Sequence, residues 1–273
     1  MTDSVSPLDA LKSYIVKPSQ LNKSNLIMLY GLPGSGKTHL AASISEVPGI
    51  KKVAIIDTEN STSGTVADFG DEKIDIYPVS THGGFETVLD ALLEDAESDS
   101  PTYDAIIVDT VDVAQERAVA WYEENTPRNQ KGDKDGFAVW GNVKQWTNSI
   151  FRRLQESPTV AITVLHSDRE KMENGPYVDT VMLQGKSKNT APGVPDIVIF
   201  TEREAGVTTA YAGSSTKRST KNRFDLPDEI ENPSMAGIFK AISNRGQATV
   251  NPVAKVAPKK APAKVAAAPK GKE

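Results

Sequence analysis

The chain has 273 residues, with 31 Lys and Arg against 36 Asp and Glu, a net charge of −5 and 38% hydrophobic residues. It has no cysteine and three histidines, His39, His82 and His166, which excludes a disulfide scaffold, a thiolate nucleophile and any Cys-ligated metal, and argues against a His-rich metal site. The opening Met1-Thr2-Asp3-Ser4-Val5-Ser6 has neither the basic nor the apolar region of a secretory signal, and no apolar run approaches the ~18 residues needed to cross a bilayer; the expectation is a cytoplasmic protein without membrane contact.

In chain order, residues 1–24 read as a lead-in, 25–246 as one α/β core and 247–273 as a tail. Short apolar runs bounded by turn residues alternate with segments of helical period, the pattern of a parallel sheet with crossover helices. The predicted strands are Leu26–Tyr30, Val53–Ile56, Ile74–Tyr77, Ala105–Val108, Val160–Leu165 and Ile197–Phe200. Between them, apolar residues recur at three and four: Phe85, Val88, Leu89, Leu92 and Leu93; Val111, Ala114, Ala118 and Tyr122; Val139, Val143, Trp146, Ile150 and Leu154. Two stretches break the alternation. Asn125–Gly136 is wholly polar, and the segment from His166 to about Pro195 mixes charge, Gly and Pro around one strand-like run, Val178–Leu183. Segments of this kind in a compact domain are functional or mobile loops by default. The tail from Gln247 is built from Ala, Pro, Lys and Val without an aromatic, a composition that cannot offset chain entropy by burial. It holds six lysines and one acid, so the preceding part carries 25 cations against 35 anions. A disordered basic tail on an acidic body serves solubility or weak contact with nucleic acid.

Gly31-Leu32-Pro33-Gly34-Ser35-Gly36-Lys37-Thr38 follows an apolar strand and opens a predicted helix, Thr38–Glu46, which is the phosphate-loop pattern in its required setting. The glycines let backbone N–H groups turn inward around phosphates. Lys37 reaches the β and γ oxygens, and the Thr38 hydroxyl is a ligand for Mg²⁺; His39 completes the cofactor-binding run. Asp109 ends the run Ala105-Ile106-Ile107-Val108, the strand whose carboxylate holds the same ion. The next residue is Thr110 rather than Glu, so a base that activates water must come from elsewhere. Asp57 and Glu59, two apart at the end of the second strand, lie where the ligand crevice of a parallel sheet forms, and Glu59 is the candidate base. Lys217–Arg223 gathers four cations in seven residues, either a phosphate-contacting patch or a solvated hairpin.

The ordered set Tyr30–Thr38, Ile56–Glu59, Ile107–Thr110, Gly141 with Trp146, Leu183–Lys186, Pro192–Asp196 and Arg223–Pro227 resembles RecA-like ATPases, and more narrowly the phage core-only RecA-like proteins of the Sak single-strand-annealing group. The resemblance runs from about Leu26 to Ser243. It implies ATP and Mg²⁺ as cofactors, Glu59 as the catalytic carboxylate and His166 as the group that senses the γ-phosphate. Loops 125–136 and 167–184 would be the contacts to single-stranded DNA, with Arg128, Lys131, Lys134, Arg169 and Lys171 as their cations. Lys186 and Lys188 would reach a neighbouring subunit of a homo-oligomer, and a single-strand-binding protein is a further expected partner. Histidine stands where RecA has glutamine and no RecA DNA-loop sequence is present, which favours annealing or recombination mediation over strand exchange. A phage-encoded protein would work in the host cytoplasm. Two other functions share the same phosphate loop: a P-loop kinase for a small molecule, disfavoured by Glu59 and the lack of an Arg-rich lid, and a nucleotide-gated interaction protein in replication or packaging.

Overall fold

The computed structural model describes residues 26–128, 132, 135–171 and 175–244. The expected tail, the lead-in, Lys131 and Lys134 lie outside these residues.

The first strand, β1 (Leu26–Gly31), is buried along its whole length, and its side chains alternate between two cores. Ile27 and Leu29 face one; Leu26, Met28 and Tyr30 face the other. This two-residue period with no polar face is what a parallel strand covered on both sides requires. The phosphate loop leads into helix α1 (Lys37–Ala42), which tightens to a 3₁₀ turn over Ser43–Glu46. Strand β2 (Val53–Asp57) follows, then a short helix α2 (Ser63–Val66), strand β3 (Ile74–Pro78) and helix α3 (His82–Glu97), capped by Thr81. Strand β4 (Ala105–Asp109) runs into helices α4 (Val111–Asn125) and α5 (Gly136–Glu156). Asp135 caps α5 by accepting from the Ala138 N–H.

Strand β5 (Val160–Lys171) inserts between β1 and β4, and β7 (Ile197–Glu204) flanks β1 on its other side. These parallel strands order as β7-β1-β5-β4-β2-β3. Antiparallel strands β8 (Val207–Tyr211) and β10 (Glu229–Glu231) extend the β7 edge, and β9 (Lys221–Asn222) pairs with β7. Among the described residues the fold is therefore α/β, with a mostly parallel central sheet and helices on both faces. One face carries α1, α2 and the last helix α7 (Met235–Asn244), through residues such as Leu40, Ile44, Val66, Ile238 and Phe239. The other carries α3, α4 and α5, through Phe85, Leu89, Ala114, Ala118, Ile150 and Phe151. Each fully buried large side chain contributes about 1.5–3 kcal/mol.

Segment 167–184, expected as an irregular loop, is instead largely regular. Ser167–Lys171 of β5 pairs antiparallel with β6 (Tyr177–Val181), so the strand leaves the sheet as a hairpin. Leu183 is buried just beyond β6, before the short helix α6 (Ser187–Thr190). Strands β8 to β10 and helix α7 were not expected from periodicity. No helix among the described residues is long and apolar enough to cross a membrane.

Candidate active site

The register of the parallel strands brings the motifs to one end of the sheet. Gly31 lies beside His166 across β1 and β5, and Asp57 lies beside Asp109 across β2 and β4. In the phosphate loop, Gly31 allows a close approach, because a Cβ there would sit 2.3 Å from the Thr201 carbonyl oxygen. Gly36 adopts φ +89°, a conformation that L side chains rarely take. Ser35 shares a 2.9 Å hydroxyl–hydroxyl bond with Thr201, which pins the loop to β7. Pro33, Gly34 and Leu32 are exposed, and Leu32–Ser35 with Phe200–Arg203 line a cleft. His39 is exposed on α1, with its ring 5.1 Å from that of Phe69.

Lys37 is buried, and its Nζ donates to the carbonyls of Gly31 at 3.0 Å and Leu32 at 2.8 Å. Burial pushes its pKa down, against the opposing pull of Asp109, Asp112 and Glu59. The Thr38 hydroxyl donates to Asp109 Oδ2 at 2.7 Å. Burial raises the Asp109 carboxyl to about 6, the Thr38 bond and Lys37 acting against that and Glu59 and Asp57 adding to it. A buried carboxylate held against a hydroxyl suits a hard divalent cation, and Mg²⁺ sites often use one or two such ligands with substrate phosphates. Thr38 and Asp109 thus fit the Mg²⁺ of a nucleotide. No cluster of three or more His, Asp or Glu among the described residues could hold a metal alone.

Asp57 and Glu59 differ in kind. Asp57 is buried, and its carboxylate accepts from the backbone N–H groups of Glu59 (3.0 Å), Asn60 (2.8 Å) and Thr62 (3.1 Å). It shapes the turn. Glu59 is thereby left projecting toward the sheet end, where Oε1 lies 3.3 Å from the Thr110 hydroxyl and 3.6 Å from His166 Nδ1, and where Ser61 donates to Oε2 at 3.4 Å. Thr58 and Thr110 bind reciprocally: Thr58 Oγ1 donates to the Thr110 carbonyl at 2.9 Å and accepts from its N–H at 2.8 Å. The Asp109–Thr110 peptide between these contacts is cis.

Three residues at the site carried no signal in the sequence pattern. Asp112, in the first turn of α4, binds His166 twice, at its backbone N–H (3.0 Å) and at Nδ1 (2.8 Å). Arg117 donates to the carbonyls of Val79 and Thr58, fastening the ends of β3 and β2 to α4. Gln115, fully buried, donates to Thr147 at 2.8 Å and accepts from the Gln184 N–H at 2.6 Å. Each occupies a polar position on a helix whose apolar stripe dominates the pattern, so only the tertiary packing reveals its partner.

The remaining candidate cations are scattered. Arg128 donates to the Gly132 carbonyl at 3.0 Å. Arg169 is 71% exposed, lies 3.6 Å from Asp179 and rests over the Tyr177 ring, and Lys171 is exposed. Lys186 is exposed, whereas Lys188 pairs with Glu170 of the same chain. In the run 217–223, three of the four cations are engaged internally: Arg218 with Glu202 and the Tyr211 ring, Lys221 with the Gly193 carbonyl and Arg223 with Asp196. That run is mostly structural rather than an open phosphate patch.

A phosphate loop on a parallel sheet, with Lys37, Thr38 and Asp109 converging, defines a P-loop nucleotide-binding protein, and a carboxylate at the neighbouring strand end is the equipment of an ATPase. Residues 23–224 match the family described as AAA domain, AAA_24. The chain belongs to that family of P-loop ATPases. No curated protein matches its sequence. It is similar in structure to the RadB recombinase (15% identity, 77% of this chain and 86% of that one, TM-score 0.43) and to the solved ATPase domain of another protein (10%, 77% and 81%, 0.43). A similarity to an ATPase from the type III secretion system of pathogenic bacteria has 12% identity and a TM-score of 0.41 over 66% of this chain, and spans about half, 51%, of that one.

Proposed function

We propose that this ATPase hydrolyses Mg-ATP and binds single-stranded DNA in phage-type recombination or single-strand annealing, as a homo-oligomer of the Sak group. The observation that carries the hydrolytic part is the position of Glu59. It is free of the backbone bonds that occupy Asp57, and it lies within 3.6 Å of both Thr110 and His166. A carboxylate so held can take a proton from water as the water attacks. Lys37 would neutralise charge on the β and γ phosphates, and Thr38 and Asp109 would hold Mg²⁺, which screens phosphate charge when bound. His166 would meet the terminal phosphate.

Support for coupling to DNA comes from chain continuity. His166 is followed directly by the antiparallel pair Ser167–Lys171 and Tyr177–Val181, in which Arg169 and Lys171 are exposed. A change at the phosphate therefore has a short, stiff route to the hairpin. Helix α4 starts directly after the carboxyl end of β4, and Arg128 follows its last residue, Asn125.

The decisive experiment is ATP hydrolysis by the full chain with and without single-stranded DNA at two salt concentrations. Stimulation that weakens with salt is expected. Hydrolysis that ignores DNA would assign the protein to nucleotide-gated interaction with other proteins, and phosphorylation of a small molecule in place of hydrolysis would make it a kinase.

A further inference from the structure

Asp112 spends both carboxylate oxygens on one residue of the neighbouring strand. It is 4% exposed, with Oδ1 accepting from the His166 backbone N–H at 3.0 Å and Oδ2 lying 2.8 Å from His166 Nδ1. A carboxylate only accepts, so the contact at Nδ1 requires the hydrogen to be there. The backbone bond fixes the carboxylate, and the carboxylate in turn fixes the ring. Nε2 is then the one imidazole nitrogen left for another partner.

We propose that Asp112 is a positioning residue for ATP hydrolysis: it keeps a hydrogen on His166 Nδ1 and orients the ring, so that Nε2 of the charged imidazole is the donor to the nucleotide's terminal phosphate. This rests on His166 meeting that phosphate, as proposed above. The same arrangement decides the ring's charge. The charged groups around it are Asp112 on α4, Glu59 after β2 and Lys37 on α1, with Asp168 on its own strand and Glu116 on α4 lining a small cavity beside Asp112. The Asp112 bond leads in raising the His166 pKa above 6.5, helped by the charges of Asp112 and Glu59 and opposed by burial and Lys37. In the charged form Nε2 carries a hydrogen and can donate to a phosphate oxygen. In the neutral Nδ1–H form Nε2 can only accept, and it faces an anion unfavourably.

Asp112→Asn separates the two roles of the carboxylate. The amide oxygen can keep the His166 backbone bond, but the NH₂ then faces Nδ1, which must accept, and the hydrogen moves to Nε2. Imidazole ¹⁵N spectra of the full chain, with three histidines assigned by His→Gln variants, read the tautomer directly. The wild type is expected to be Nδ1–H when neutral and Asp112→Asn to be Nε2–H, titrating at lower pH. In ATP turnover, Asp112→Asn replaces the charged Nε2–H donor by a neutral one and should lower kcat about tenfold near neutral pH, leave KM within about twofold and remove the alkaline limb of the pH profile, because the variant's neutral ring keeps the hydrogen on Nε2. In a His166→Gln background the limb should vanish and Asp112→Asn should have no further effect.

An Nε2–H tautomer in the wild-type protein overturns the proposal without any variant being needed. So does an equal loss of kcat from Asp112→Asn in the His166→Gln background, which would make Asp112 a purely structural residue. If His166→Gln hydrolyses ATP like the wild type, the phosphate-sensing role fails, while the spectra still report on Asp112 and His166 alone.

Discussion

Asp57 and Glu59 stand two residues apart with the same chemical group, yet the backbone bonds of Asp57 leave only Glu59 available for chemistry. Asp57→Ala would remove the acceptor of three N–H groups, one of them, that of Thr62, buried, so thermal or denaturant unfolding should show a loss of about 1–3 kcal/mol, with hydrolysis falling as Glu59 loses its support. Glu59→Gln should leave stability and ATP binding nearly unchanged while hydrolysis falls roughly 100-fold; full turnover would remove Glu59 from the mechanism. Lys37→Ala should abolish hydrolysis and weaken nucleotide binding strongly, because a charge-assisted contact in a partly dry site is lost. His166 adds a pH effect on folding. Its pKa is raised in the folded chain, so the stability it contributes is complete below 6.5 and is lost as pH rises through the folded value. Unfolding temperatures of wild type and His166→Gln should accordingly converge with rising pH.

At the scale of elements, β5 is two structures in one strand. Val160–Leu165 is buried in the sheet, whereas Ser167–Lys171 projects with β6 as a hairpin. No apolar alternation marks the projecting part, because the sheet covers neither of its faces, and that is why sequence pattern made it irregular. The hairpin is tied down midway along β6, where Asp179 stands opposite Arg169. Asp179 accepts from the Ser219 N–H at 3.0 Å and donates its own N–H to the Lys217 carbonyl at 2.8 Å, while Arg218 lies 3.7 Å from the Tyr211 ring centroid. Arg218→Ala should therefore cost about 1–2 kcal/mol in unfolding experiments, and the exposed Lys217→Ala close to nothing. On α5, Phe137 is 96% exposed and Trp140 42%, directly after the polar segment expected to meet DNA. If bases stack there, removing either ring should weaken single-stranded-DNA binding by about 1–3 kcal/mol without changing basal hydrolysis. Unchanged affinity would exclude this end of α5 from the DNA path.

Over the whole molecule, the order β7-β1-β5-β4-β2-β3 sets the phosphate loop near the middle of the sheet and brings three strand ends to it. The tail, 247–273, lies outside the described residues, and its charge makes a separate prediction: deletion should leave hydrolysis intact and weaken DNA binding, more so at low salt. What the sequence determined by itself was local. The phosphate loop needs particular glycines, a lysine and a threonine in consecutive positions, and buried parallel strands need unbroken apolar runs, so both can be recognised from neighbours along the chain. The tertiary structure alone decided the pairings over distance: His166 with Asp112, 54 positions apart, and Arg117 with the Thr58 carbonyl, 59 apart. It also decided that three of the four cations of 217–223 are paired within the chain. A polar side chain shows its type in the sequence, but whether it meets a partner, a backbone group or solvent depends on strand order and register, which no local pattern encodes.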